Sequence, residues 1–136
     1  MSAPAPACAE LLATARRGLL EATLAETPTE RYAAAHLAAL RAAAAVLAAR
    51  AQPSARRSGP RSVWALVPRV APEFAEWAQF FAAGSAKRSL AAAGVPVVTM
   101  READDLLRDA ETFCDLIAAG LSNHLTARQA SLPATG

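Results

Sequence analysis

Apolar residues recur along this chain at intervals of three and four positions, which is the spacing of α-helices. After a lead-in at residues 1–7, which we expect to be flexible, the pattern predicts one helix over residues 8–25 and a second from Pro28 to about Ala51. The predicted inward faces consist of small and apolar residues and one histidine: Leu12, Ala15, Leu19 and Ala22 in the first helix, and His36, Leu40, Ala43 and Leu47 in the second.

Two short segments carry the signature of a helix N-terminus. Residues 27–30, Thr-Pro-Thr-Glu, place a threonine at the N-cap, a proline at the first helical position and a glutamate at the third. Residues 99–102, Thr-Met-Arg-Glu, repeat the threonine–glutamate spacing and predict the start of the last helix. That helix is amphipathic, and its apolar face is formed by Met100, Ala103, Leu107, Ala110, Cys114 and Ile117, widened by Leu106, Phe113 and Leu121.

The region between these helices is broken by prolines and glycines. Residues 52–61 contain two prolines, a glycine and two serines, which predicts a loop. We expect a short helix from Ser62 that Pro68 interrupts, and another helix from Pro72 to a stop at Gly94.

Alanine dominates the composition and reinforces the helical prediction. Hydrophobic residues make up 54% of the chain and aromatic residues only 5%, and alanine is the best helix former. Because alanine buries little area, a few large side chains must supply most of the burial energy: Trp64, Phe74, Trp77, Phe81, Leu106, Phe113, Ile117 and the leucines. The helical pattern fades after Gly120. We therefore predict an all-α fold over residues 8–121, an up-and-down bundle of four to five helices, and a disordered tail at 122–136.

Charge is unevenly distributed along the chain. Residues 31–100 contain nine basic side chains and two acidic ones, whereas residues 101–136 contain six acidic and three basic ones. A basic middle segment suits a phosphate-bearing partner. It suits equally an internal match with the acidic last helix, which is the simpler explanation. Within this segment, Arg56, Arg57 and Arg61 are the candidates for binding nucleic acid or phosphate, or else they solubilise a connection between helices.

The residue inventory disfavours several classes of site. The two cysteines are in no metal-ligand spacing, and no glycine-rich phosphate loop precedes a helix. The acidic set Asp104, Asp105, Asp109 and Asp115 fits a solvated helix surface, so we expect no metal and no cofactor. The cysteines fit a reduced environment, and the longest apolar run, residues 42–49, is too short to cross a bilayer. We therefore expect a cytoplasmic protein that binds no membrane.

One motif is suited to catalysis, an arginine followed by four residues and a histidine at Arg31 and His36. It lies within a wider pattern that covers the chain from about Leu11 to Leu121. This stretch resembles a small group of bacterial proteins, predominantly actinobacterial, within the HEPN family. The segments that carry the resemblance are residues 31–41 (RYAAAHLAALR), 72–77 (PEFAEW) and 101–110 (READDLLRDA).

The resemblance implies an HEPN-like helical bundle and leaves two hypotheses for function. Catalytic members of that family cut RNA without a metal, using such an arginine and histidine at a dimer interface. On a helix, a separation of five positions places the two side chains about 140° apart. They can therefore meet only across a partner subunit or near a frayed helix start.

We therefore expect a nucleotide-, RNA- or protein-binding regulatory module without catalysis, with His36 hydrogen-bonded in or near the core and Arg31 on the surface. The alternative is a metal-independent endoribonuclease that uses Arg31 and His36 at a dimer interface. The expected partners are RNA or a nucleotide, another protein, or a second copy of the chain.

Overall fold

The computed structural model describes the backbone of residues 4–50 and 55–130, and the side chains of residues 7–50 and 63–122. These residues form helices and no strand, which confirms the predicted all-α class. The helices are α1 (Pro4–Leu24), α2 (Pro28–Ala49), α3 (Ala55–Val70), α4 (Ala75–Ala83), α5 (Ser85–Ala92) and α6 (Met100–Ala130), with a 3₁₀ turn (Pro72–Phe74) between α3 and α4.

Helix α2 is the centre of the bundle and contacts each of the other five helices. Most of its buried residues are alanines, so neighbouring helices approach its backbone closely: Tyr32, Ala35, His36, Ala38, Ala39, Ala42, Ala43, Ala45, Val46 and Leu47. Its most apolar 18-residue stretch has a mean hydropathy of 1.5, which by length and composition is enough to cross a membrane. More than half of that stretch is buried inside the bundle, which is the position of a core helix.

The predicted capping box is complete at the start of α6, and its threonine half is present at the start of α2. The Thr27 side chain accepts a hydrogen bond from the backbone N–H of Glu30 at 3.2 Å, with proline at the first helical position. At α6 the bonds are reciprocal, because the Glu102 N–H donates to Thr99 Oγ1 and the Thr99 N–H donates to Glu102 Oε1. Each pair satisfies backbone donors that the first helical turn leaves free.

The predicted stop at Gly94 is also confirmed. Gly94 has φ of +84°, the left-handed conformation that glycine adopts without steric cost. The N–H groups of Gly94 and Val95 donate to the carbonyls of Ala91 and Leu90, both at 2.9 Å. This pair of bonds is a Schellman motif, which satisfies the last carbonyls of α5.

The helices extend further than the sequence pattern predicted. Residues 55–61, predicted as a loop, belong to α3, and Pro68 does not interrupt that helix. Residues 122–130, predicted as a tail, continue α6, and α1 begins at Pro4. Glycines and prolines were given too much weight in these predictions. At residues 55–61, for example, the alanine and arginines at 55–57 are good helix formers, and the helix continues through Gly59 and Pro60.

The single helix predicted between Pro72 and Gly94 is instead divided into α4 and α5, which raises the helix count to six within the described residues. The break lies at Gly84, whose φ of −90° and ψ of 0° leave the helical region. A Cβ atom at this position would lie 2.9 Å from the Tyr32 hydroxyl and 3.5 Å from the His36 ring. Gly84 therefore permits the close approach of the α4–α5 junction to α2.

Aromatic side chains fill the space between α3, α4 and α6. The ring centroids of Trp64 and Phe81 are 5.3 Å apart, those of Phe81 and Phe113 are 5.2 Å apart, and those of Trp77 and Phe113 are 5.6 Å apart. The predicted aromatic core residues are buried, except that Trp77 is only half-buried, and so are Leu106 and Ile117. The prediction was wrong for several leucines, which are exposed: Leu20, Leu24, Leu90 and Leu116. These rings supply burial that the alanine-rich faces of α2 lack.

Replacing Gly84 with alanine should destabilise the protein by about 1–3 kcal/mol, because the new methyl group collides with the buried Tyr32 hydroxyl. Chemical denaturation measures the free energy of unfolding. The same substitution in a Tyr32→Phe background should cost clearly less, because the colliding oxygen is absent. Equal costs in the two backgrounds would show that the contact is not the cause.

Candidate functional site

Arg31 and His36, the candidate catalytic pair, both lie in the first half of α2. Because α2 is a regular helix there, their side chains leave it about 140° apart. Each makes its own set of contacts with other helices, and no hydrogen bond joins the two within the described residues.

Arg31 ties the C-terminus of α1 to the start of α6. Its guanidinium donates to the backbone carbonyls of Ala22, Thr23 and Ala25 at 3.0, 3.2 and 2.8 Å. It also donates to Asp104 Oδ1 at 2.7 Å. The side chain is only 20% exposed, so it is more enclosed than the surface position predicted for it. One guanidinium thus caps the last turn of α1 and neutralises a carboxylate of α6.

His36 is a core residue, as the non-catalytic hypothesis predicted. Its exposed fraction is 1%, and its Nε2 lies 2.8 Å from the carbonyl oxygen of Phe81. Since a carbonyl only accepts, Nε2 carries the proton in this bond. The ring contacts Trp64 and Phe81 edge-on, with centroids 6.1 and 5.8 Å away.

The environment of His36 favours the neutral imidazole. Burial lowers the pKa of His36, and the nearby positive charge of Arg88 lowers it further, while the hydrogen bond to Phe81 acts in the opposite direction. The other ring nitrogen, Nδ1, is buried without a hydrogen-bond partner in the described part of the chain. Tyr32 stacks beside the ring on one side, and Gly84 closes it off on another.

The basic segment predicted at Arg56, Arg57 and Arg61 belongs to the backbone of α3, but its side chains lie outside the described residues. Their role in binding phosphate or nucleic acid therefore stays a prediction. Three other basic groups of the middle segment, Arg31, Arg50 and Lys87, are paired internally. Lys87 donates to Glu102 of the acidic helix α6 at 2.7 Å. This is the internal match between the basic middle segment and the last helix that the charge pattern suggested.

A bidentate pair joins Arg50, at the end of α2, to the 3₁₀ turn. Arg50 donates to both carboxylate oxygens of Glu73, at 3.1 and 2.6 Å, and to the Val70 carbonyl at 3.2 Å. This bidentate contact is the main cause of a lowered pKa for the Glu73 carboxyl. It secures the connection between α3 and α4.

An open groove lies between α1, α2 and α5, and we call it the α1–α2–α5 groove. It has a volume of about 590 Å³. Small and apolar side chains form its walls: Leu24, Ala33, Ala34, Leu37, Ala91 and Ala92. Glu21, Glu30 and Arg88 supply its charges. The Nε atom of Arg88 is buried and has no hydrogen-bond partner among the residues whose side chains are described.

This groove was not predicted from the sequence. Its walls are alanines and leucines on three different helices, which the pattern assigned to helix packing. The signal in the sequence was Leu24, a large apolar residue off the predicted inward face of the first helix, and it is 79% exposed in the structure.

Covalent catalysis by the cysteines is poorly supported by their surroundings. Cys114 is fully buried, and burial raises the pKa of its thiol to about 11. Burial also raises the pKa of Cys8. Within the described side chains, no group of three or more histidine, cysteine, aspartate or glutamate residues is placed to hold a metal ion.

Replacing Arg31 with lysine should lower the free energy of unfolding by about 1–3 kcal/mol, because one ammonium cannot reach three carbonyls and a carboxylate together. The exposed Arg101, replaced in the same way, serves as the control and should change stability by less than about 0.5 kcal/mol. Urea denaturation of both variants tests this. Similar losses would mean that the contacts of Arg31 contribute little.

The buried neutral state of His36 predicts a loss of stability in mild acid. Its pKa is below 6.5 in the folded protein and near 6.5 in the unfolded chain. As the pH falls below about 6.5, the unfolded state therefore takes up a proton that the folded state does not, and stability falls until the folded pKa is reached.

Thermal unfolding between pH 7.5 and pH 5 measures this effect. The midpoint should fall more steeply for the natural protein than for His36→Gln, in which the amide can still donate to Phe81 but does not titrate. The carboxyl groups of Glu73 and Glu102 have lowered pKa values and become protonated only in a lower pH range. They are also common to both proteins, so they do not affect the comparison. Parallel curves would exclude His36 as the cause.

The comparisons with known proteins agree with the helical architecture. No curated protein and no solved structure matches the chain. A model of the SAV_6107-like HEPN family matches residues 22–118, from the end of α1 through most of α6 and more than half of the chain. The chain therefore belongs to the HEPN family, which confirms the resemblance identified from its sequence.

Proposed function

We propose that this chain is a binding and regulatory HEPN-type module that does not catalyse RNA cleavage. The observation that carries the proposal is the use of both candidate catalytic side chains in folding contacts. Arg31 holds three backbone carbonyls and Asp104, and His36 is buried and bonded to Phe81.

A nuclease that works by general acid–base catalysis needs a histidine that reaches the reacting oxygen and exchanges protons near neutral pH. His36 is 1% exposed, and the pKa of its ring is lowered by burial. To act on RNA it would have to leave the core and break its bond to the Phe81 carbonyl. These features support a binding role over the alternative endoribonuclease.

The binding surface that we propose is the α1–α2–α5 groove. Its apolar walls offer area for hydrophobic contact, and the positive charge of the Arg88 guanidinium suits a carboxylate or another anionic group. Glu21 and Glu30 lie in the same groove and would repel a chain of phosphates. The groove therefore suits an apolar protein segment that presents a single carboxylate to Arg88 better than it suits RNA.

RNA and nucleotides stay alternative partners because of the basic segment in α3. Arg56, Arg57 and Arg61 would bind phosphates without base specificity, and such binding weakens strongly as salt increases. A competing phosphate interaction is therefore expected to have its determinants at these arginines and not in the α1–α2–α5 groove.

An RNA cleavage assay in EDTA tests the absence of catalysis. The purified protein and His36→Gln, both checked for folding by circular dichroism, are incubated with a single-stranded RNA of mixed sequence. We expect the RNA to stay intact with both proteins. Cleavage that survives the chelator and disappears in the folded His36→Gln variant would overturn the proposal and make the endoribonuclease the correct hypothesis.

Gel retardation of the same RNA separates the two binding surfaces. Any retardation should be lost when Arg56, Arg57 and Arg61 are replaced together with glutamine, and should persist in Arg88→Gln. Loss of retardation with Arg88→Gln alone would instead place the anion-binding site in the groove and contradict our assignment of a protein partner there.

A further inference from the structure

A second open groove lies between α4 and α6, and we call it the Trp77–Phe80 groove. It has a volume of about 310 Å³ and is lined by Glu76, Trp77, Phe80 and Asp109. The Trp77 ring packs on Phe113 with centroids 5.6 Å apart, so an aromatic layer separates the two helices here. The groove shares no lining residue with the α1–α2–α5 groove.

The groove combines aromatic surface with unpaired negative charge. Phe80 is 47% exposed, and Trp77 is half-buried beside it. Glu76 of α4 and Asp109 of α6 supply a carboxylate from each of the two helices, and neither belongs to any ion pair between described residues.

The nearest basic residue along α6, Arg108, is already engaged. It pairs with Asp105 and so does not neutralise Asp109. Burial raises the pKa of the Asp109 carboxyl, and the negative charge of Asp105 raises it further, while Arg108 acts in the opposite direction. A cation placed in the groove would relieve this unfavourable environment.

We propose that the Trp77–Phe80 groove binds an arginine side chain of a partner protein. A planar guanidinium stacks on the faces of aromatic rings, and its five N–H donors can reach two carboxylates at once. Lysine offers neither the planar face nor the fork of donors. A phosphate or an acidic peptide would be repelled by Glu76 and Asp109, so charge complementarity selects a basic segment.

The size of the groove agrees with this occupant. A volume of 310 Å³ is at the lower end of the range for ligand pockets, roughly 300–1,000 Å³. It suits one long side chain and its flanking backbone. This inference goes beyond the proposed function and does not depend on Arg31, His36 or the α1–α2–α5 groove, so the RNA assays cannot decide it.

A nuclear magnetic resonance titration with short peptides tests the proposal. The probes are the capped pentapeptides GRGRG, GKGKG and GEGEG, added to the full-length protein labelled with ¹⁵N. GRGRG should shift the indole N–H of Trp77 and the backbone amides of Glu76, Phe80 and Asp109. GKGKG should bind more weakly, and GEGEG should leave these signals unchanged.

Two matched double variants separate local recognition from overall charge. Glu76→Gln with Asp109→Asn should weaken binding of GRGRG by about tenfold or more, because it removes both carboxylates. Glu10→Gln with Glu26→Gln makes the same change in net charge at exposed positions outside the groove and should leave the affinity within about twofold. Circular dichroism verifies that both variants are folded.

Several results would overturn the proposal. Equal weakening in the two double variants would reduce the effect to overall charge. Equal affinity for GRGRG and GKGKG would remove the preference for arginine. The same signals shifting with protein concentration in the absence of peptide would assign the groove to a second copy of the chain. The absence of shifts with GRGRG at millimolar concentration would also contradict it.

Discussion

The architecture depends on the close approach of five helices to the single helix α2. This approach is sterically feasible because most of the buried residues of α2 are alanines. Ala38 illustrates the constraint, since a Cβ atom on Gly18 of α1 would lie only 3.3 Å from its methyl group, and Cys114 of α6 lies 4.0 Å from its carbonyl oxygen. Small side chains bury little area each, so the aromatic cluster around Phe81 and Phe113 must supply much of the remaining hydrophobic stabilisation.

Two polar side chains in the first half of α2, Arg31 and His36, hold neighbouring helices in place. Arg31 satisfies the free carbonyls at the end of α1 and binds Asp104 at the start of α6, while His36 binds the Phe81 carbonyl just before the break at Gly84. A catalytic role would require the same two groups to face a common phosphate. Their spacing of five positions directs them to different neighbours, and each stabilises a different helix end.

Membership of the HEPN family establishes the fold and does not by itself establish an activity. Function has to be argued from the surfaces that the bundle exposes. The two grooves differ in chemistry: the α1–α2–α5 groove combines aliphatic walls with Arg88, Glu21 and Glu30, and the Trp77–Phe80 groove combines aromatic rings with two carboxylates.

The helical class, most of the inward faces and the capped starts of α2 and α6 follow from the amino-acid sequence, because these features depend on local propensity and on spacing along one helix. An exception is Met100, which belongs to the predicted inward face of α6 and is exposed. The sequence also placed His36 in or near the core. The position at which the helix after Pro72 breaks could not be predicted locally, because Gly84 lies against Tyr32 and His36 of another helix. The same reason applies to the two grooves and to the contacts of Arg31. Each brings together residues far apart in the chain, and no local pattern encodes their distance.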